Sequence, residues 1–295
     1  AALPGICGLV LFVALVHGLL LANDGVYDDW IIYHMLVGGD WDSLHLLFTE
    51  IGLPHVAYVH WAMRLFPDVV FGYRLVVFLS ILGSTVIVYD LIARSRMLGG
   101  GEAALVAAAF ASFPGYQSTV ALSTMPYSLL YFVFFIGAWI AIAGFGFAKR
   151  TLGIARVGVG VSRVVSLALL YFSFAMQSLL VFHFAFLAFW WLLESRQRDG
   201  RPDRDVARTE TFLLRKLDYI LLPFLFFGIK MAYFAPSGLG TNYNKVTFDV
   251  VSWLSAAGIF VLVTMYQILE SIAALNANAL SLVVGAILVY GAYRG

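Results

Sequence analysis

Apolar runs near 20 residues recur along this 295-residue chain, and no other feature restricts its fold as strongly. A stretch of ~20 apolar residues crosses a bilayer as a helix, because only a helix satisfies its own backbone polar groups in hydrocarbon. The runs read roughly as 3–22, 69–93, 103–117, 125–148, 163–193, 217–235, 250–269 and 277–293. The expected fold class is all-α, a polytopic transmembrane helical protein of about 8–9 membrane segments. One domain is expected to cover residues 1–295. Only 12% of residues are charged, half of what a soluble domain usually carries. No small-residue cleavage site follows the first apolar run, which reads as a retained anchor. No basic arm, zinc-finger spacing or glycine-rich phosphate loop occurs, so nucleic acid and soluble nucleotides are poor ligands. The one cysteine, Cys7, lies in an apolar run, and no internal disulfide can form.

Basic residues assign the sides. Arg94 and Arg96 mark one loop; Lys149, Arg150, Arg156 and Arg163 mark a second; the arginine-rich loop 194–216 is the third. All three should be cytoplasmic. The run 163–193 then starts and ends on the same side, although 31 residues are too few to cross ~30 Å twice at ~1.5 Å per residue. A re-entrant pair of half-helices with its tip near Ala175, Met176, Gln177 and Ser178 resolves the parity. One long tilted helix, with an exception to the charge rule, is the alternative. His183 and Gln177 read as hydrogen-bonded packing of that segment. The orientation brings the polar loops 23–67, 112–126 and 236–245 to the non-cytoplasmic face, a coincidence not built into it.

Loop 23–67 holds six carboxylates and four of the six histidines of the chain. Carboxylates gathered at a membrane surface point to a site. Asn23 or Asp24 is a natural N-cap, with an amphipathic helix expected over 26–37 that ends at Gly38 and Gly39. A second amphipathic stretch is expected over 55–66 after Pro54, with Arg64 near its end. Trp30, Tyr33 and Trp41 suit the headgroup level. The adjacent pair Asp28 and Asp29 can split its roles, one member a base and the other orienting an acceptor or a metal. Alternatively the two are first-turn residues favoured by the helix dipole. In PSGLGTNYNK (236–245), Asn242, Tyr243 and Asn244 offer partners for sugar or phosphate hydroxyls, and a plain Gly/Asn turn is the other reading. Lys230, near the outer end of its run, is either an intramembrane functional cation or a snorkelling one.

The order DD-W-x-x-Y, then G-D-W, then Y-V-H-W-A-M-R-L-F and F-G-Y-R-L resembles the first loop of the GT-C superfamily of membrane glycosyltransferases. The closest likeness is to the branch of protein O-mannosyltransferases and lipid A aminoarabinose transferases. It covers about residues 10–93 well and continues more weakly through ALSTMPYSLLYF and SFAMQSLLVFHF. The resemblance implies two interfacial helices in the first loop and a sugar donor carried on a polyprenyl phosphate. It implies Asp28 or Asp29 as the base that activates the acceptor for inverting attack. A lipid phosphate leaving group calls for cations, for which Arg64, Arg74, Lys230 and Lys245 are candidates, with His55 and His60 as hydrogen-bond donors. Thr124 stands where the family often has an acidic residue, and Leu53 stands before Pro54 where it has lysine.

The leading expectation is therefore transfer from a polyprenyl-phosphate sugar lipid to a glycan, lipid or protein acceptor. The expected place is the outer face of a bacterial inner membrane. The second is a non-catalytic subunit of this fold in a larger membrane complex with other subunits. No cofactor is required by the spacing; a divalent cation is an open option, with no third ligand positioned for it. A transporter fits less well, since the carboxylates lie in a loop and no internal repeat occurs.

Overall fold

The computed structural model describes residues 2–26, 29–112, 121–151, 155–175, 178–196 and 212–234, with scattered positions between 251 and 266. Every element among them is helical. In chain order these are α1 (Ala2–His17), α2 (Trp30–Gly38), α3 (Trp41–Glu50), α4 (Pro54–Ala62), α5 (Val69–Ser95), α6 (Gly100–Ala111), α7 (Met125–Thr151), α8 (Ala155–Ser173), α9 (Ser178–Arg196) and α10 (Leu217–Tyr233). Three segments are long and apolar enough to cross a membrane: Gly5–Ala22, Val69–Ser95 and Leu122–Ala143. The chain is an integral membrane protein.

Local chemistry explains the boundaries in the first loop. Gly39 caps α2 at φ 74°, a left-handed conformation that glycine adopts without steric cost. The Asp40 side chain accepts from Ser43 N–H and starts α3. Pro54 occupies the first turn of α4, and Asp68 caps α5 by accepting from Val70 and Phe71 N–H. The loop thus holds three short helices where two were expected. The first begins at Trp30 rather than at residue 26, because Asn23 closes the 3₁₀ turn Gly18–Ala22 and accepts from Gly25 N–H instead of capping a helix. The second expected stretch is helical to Ala62 and tightens into a 3₁₀ turn, Met63–Leu65.

The long helices α5 and α7 pack together and organise the rest. One apolar core joins α1 to α6 with the loop helices, around Leu36, Leu44, Ala57, Tyr73, Ile81, Ala107 and Met125. A second, including Phe134, Leu170, Phe174, Phe186, Trp190 and Tyr219, joins α7, α8, α9 and α10. Glycines let the backbones approach. A Cβ on Gly83 would lie 2.3 Å from the Phe132 ring, and one on Gly137 would lie 3.0 Å from Leu170.

The expected run 103–117 is a 12-residue helix that ends at Ala111, with Ser112 as its C-cap. At ~1.5 Å per residue it is about 18 Å long, short of the hydrocarbon thickness. The run 163–193 is broken as expected. Its arms are α8 and α9, whose apolar parts are Gly160–Ser173 and Leu179–Ser195. Arg163 near the start of the first arm pairs with Asp218, its Nη2 donating at 2.6 Å and its Nε at 2.5 Å. Glu194 at the end of the second arm meets Lys216 at 3.4 Å. Both partners begin α10, so the broken segment starts and ends at one end of the helices, as the charge pattern requires. Both arms have 19 residues, about 28 Å, longer than the half-helices expected. His183 is fully buried as packing, its Nε2 2.8 Å from the Tyr219 carbonyl; Gln177 lies outside the described residues. The expected runs 250–269 and 277–293 fall mostly or wholly outside them.

The close approach at Gly83 is testable. Gly83→Ala should lower the thermal unfolding midpoint in detergent, by an amount equivalent to ~1–3 kcal/mol of overpacking. Gly228→Ala, where a Cβ meets nothing within 4 Å, should raise it, worth up to ~1 kcal/mol of helix propensity. Equal responses at the two positions would contradict the packing described.

Candidate functional site

One end of the molecule collects the first loop, the turn before α7 and the last turn of α10. The side chains that assemble it are two neighbours on α5. Arg74, only 1% exposed, donates from Nε to the Asn23 carbonyl at 3.2 Å and from Nη2 to the Gly25 carbonyl at 2.7 Å. Tyr73, fully buried, shares a hydrogen bond of 2.5 Å between its hydroxyl and His60 Nδ1. Arg74 therefore holds the entry of the loop and Tyr73 its last helix. His60 stacks on Phe48 at 4.7 Å, which ties α3 into the same unit. The guanidinium expected to meet a phosphate is already committed to backbone carbonyls.

Asp29 sits at the N-cap position of α2, yet its side chain makes no cap. Its Oδ2 instead accepts from Ser123 N–H at 3.2 Å, 94 residues away. Ser123 belongs to the 3₁₀ turn Leu122–Thr124 that leads into α7, where N–H groups lack intrahelical acceptors. Asp29 thus lies at the N-terminus of α2 while its carboxylate bonds the turn that leads into α7. Asp28 lies outside the described residues, as do Asn242, Tyr243 and Lys245. Two of the three expected polar loops meet at Asp29 and Ser123; the third, 236–245, lies outside the described residues.

Two histidines of α4 each feel one charge at this end: His60 that of Asp29 and His55 that of Lys230. His60 is fully buried, and burial pushes its pKa down to about 4 even though the Asp29 charge pulls it upward. Its Nε2 has no hydrogen-bond partner among the described residues. His55 is exposed on α4, and its pKa is lowered by desolvation and then by the positive charge of Lys230. Lys230 is 8% exposed, and its Nζ has no partner among the described residues. A buried ammonium without a counter-ion is costly. Asp29 and Lys230 thus come to one end without neutralising each other. Arg64 is exposed, lying 4.4 Å from the Trp61 ring centroid and against Gly39. Among the described residues, no three His, Cys, Asp or Glu side chains group as a metal site.

Tyr73 and Ser123 are site residues that the sequence reading missed. Tyr73 lies in the quoted F-G-Y-R-L beside Arg74, and Ser123 precedes the Met-Pro that opens α7; both signals were present. Comparison with family models, with curated proteins and with solved structures gives no match to this chain.

The His60 pKa sets a pH dependence. The group is neutral when folded and carries an ordinary value of 6.5 when exposed, so the unfolded chain binds the extra proton. Its contribution is whole above pH 6.5 and is lost as pH falls toward about 4. Amide exchange in α4 should accelerate across that window, and His60→Gln should flatten the response. An unchanged pH profile in the variant would assign the effect elsewhere.

Proposed function

We propose that this protein is a GT-C-type glycosyltransferase that moves a sugar from a polyprenyl-phosphate donor to an acceptor hydroxyl. Its site faces the non-cytoplasmic side of a bacterial inner membrane, in a domain of about 8–9 membrane segments. One observation carries this reading: a carboxylate and a buried ammonium, unpaired among the described residues, stand at one end of the helices without pairing with each other. Substitution with a phosphate leaving group uses both charges, one at the attacking oxygen and one at the departing one.

In the reaction, Asp29 takes the proton from the acceptor hydroxyl. The acceptor oxygen bonds to the anomeric carbon from the face opposite the phosphate. The bond from that carbon to the phosphate oxygen breaks, and its electron pair leaves with the phosphate. Lys230 offsets the negative charge that develops there, and His55 lies close enough to feel the same ammonium. The anomeric configuration inverts. Ser123 N–H holds one oxygen of Asp29 and leaves the other for the acceptor. Arg74 and Tyr73 act at one remove, by holding the loop that carries the base. Asp28, Asn242, Tyr243 and Lys245 belong to the same proposal through the motif order and the loop they occupy.

Asp29→Asn should lower turnover by about 10²–10⁴-fold while thermal stability holds within ~1 kcal/mol. The assay follows loss of a radiolabelled polyprenyl-phosphate sugar in nanodiscs with membrane extract as the acceptor source. Wild-type turnover in the variant would remove Asp29 from the chemistry. A wild-type protein with no turnover on any donor, yet held at fixed stoichiometry in a larger complex, would point to a non-catalytic subunit.

A further inference from the structure

Outside the carboxylate and the ammonium, the first loop carries a second feature that the reaction above leaves unused. Trp41 and His45 from α3 face Tyr58 and Trp61 from α4, with ring centroids of Trp41 and Tyr58 4.8 Å apart, Trp41 and Trp61 5.3 Å, and Trp41 and His45 5.2 Å. Arg64 closes the array over Trp61. Trp41 and Trp61 rest with one side on the apolar core, and the array lies at its outer edge. Tyr58 is 61% exposed, and Trp41, His45 and Trp61 are partly exposed. The buried side of α4 is formed instead by Val56, Ala57 and His60.

We infer that this array is a carbohydrate-binding platform that seats one pyranose ring of a glycan acceptor. The inference rests on the glycosyl-transfer reading of the neighbouring site. A pyranose offers an apolar face of C–H groups and a rim of hydroxyls. A ligand for it needs flat aromatic surface with hydrogen-bonding groups around it. The array has both. Two indole N–H groups, a phenol, an imidazole and a guanidinium border it, and among the described residues no hydrogen bond of their side chains is found. The rings pack on each other across two helices, while Leu46 and Leu65 supply the exposed aliphatic surface elsewhere on the loop. The platform also continues into the proposed site. His55 and Tyr58, three residues apart and both exposed, share one side of α4, and His55 is the residue that senses Lys230.

The test uses the full chain in nanodiscs and saturation-transfer NMR with mannotriose, cellotriose and chitotriose as probes. At least one trisaccharide should receive saturation on its ring C–H protons. Its affinity should fall about tenfold in Tyr58→Ala and in Trp61→Ala, hold in Tyr58→Phe, and hold in Leu46→Ala. Arg64→Gln should weaken binding without abolishing it. Saturation no greater than that with empty nanodiscs for all three probes, or equal affinities across the variants, would overturn the platform. Quenching of the tryptophans by headgroup-depth brominated lipid, unchanged by any trisaccharide, would make the array a bilayer anchor and also overturn it. Retention of polyprenyl phosphate, followed by native mass spectrometry in the same samples, reports separately on the donor reading. It should be intact in Tyr58→Ala.

Discussion

Two adjacent side chains on α5 hold the functional end together, and the rest of the arrangement follows from them. Tyr73 engages α4 through His60, and Arg74 engages the entry of the loop through the carbonyls of Asn23 and Gly25. Both are essentially solvent-free. A guanidinium so buried is tolerable only with its donors satisfied. Removing either the arginine or the carbonyl geometry would strand the other, and each stranded group costs roughly 1–3 kcal/mol. The loop helices α2, α3 and α4 are ten residues or shorter, too short to be stable alone. Their order comes from this anchorage and from the apolar core beneath, where Leu36, Leu44 and Ala57 are fully buried.

Anchoring the loop fixes where its charge can go. With the entry of the loop held by Arg74, Asp29 falls beside the turn before α7 and meets Ser123 N–H rather than capping α2. The same end receives Lys230 from the last turn of α10. At the other end the described ion pairs are Asp90 with Arg94, Arg163 with Asp218, and Lys216 with Glu194.

Much of this was legible in the residues, but unevenly. The apolar runs marked α1, α5, α7 and α10 to within a few positions, because a membrane helix needs little beyond length and hydrocarbon. The break between α8 and α9 followed from charge parity, which no local propensity reveals. The first loop was harder. Helix α3 escaped because its four-residue spacing, Leu44 and Phe48, is short and its start depends on one cap, Asp40. Arg74 could be flagged as a cation but not as a committed one, since its described acceptors are backbone carbonyls about fifty residues away and carry no side-chain signature. The same limit hid the partnership of Asp29 with Ser123 N–H. Sequence exposes chemical types; which backbone atoms they meet is decided by packing.

In the proposed reaction the Lys230 ammonium, unpaired among the described residues, receives the phosphate of a polyprenyl lipid opposite Asp29. Native mass spectrometry of the chain in mild detergent, as wild type and as Lys230→Met, tests it most directly. The wild type should carry polyprenyl phosphate or its glycosylated form, and a variant that folds equally well should carry about tenfold less. Equal lipid retention by the two proteins, or bulk phospholipid alone on both, would contradict it.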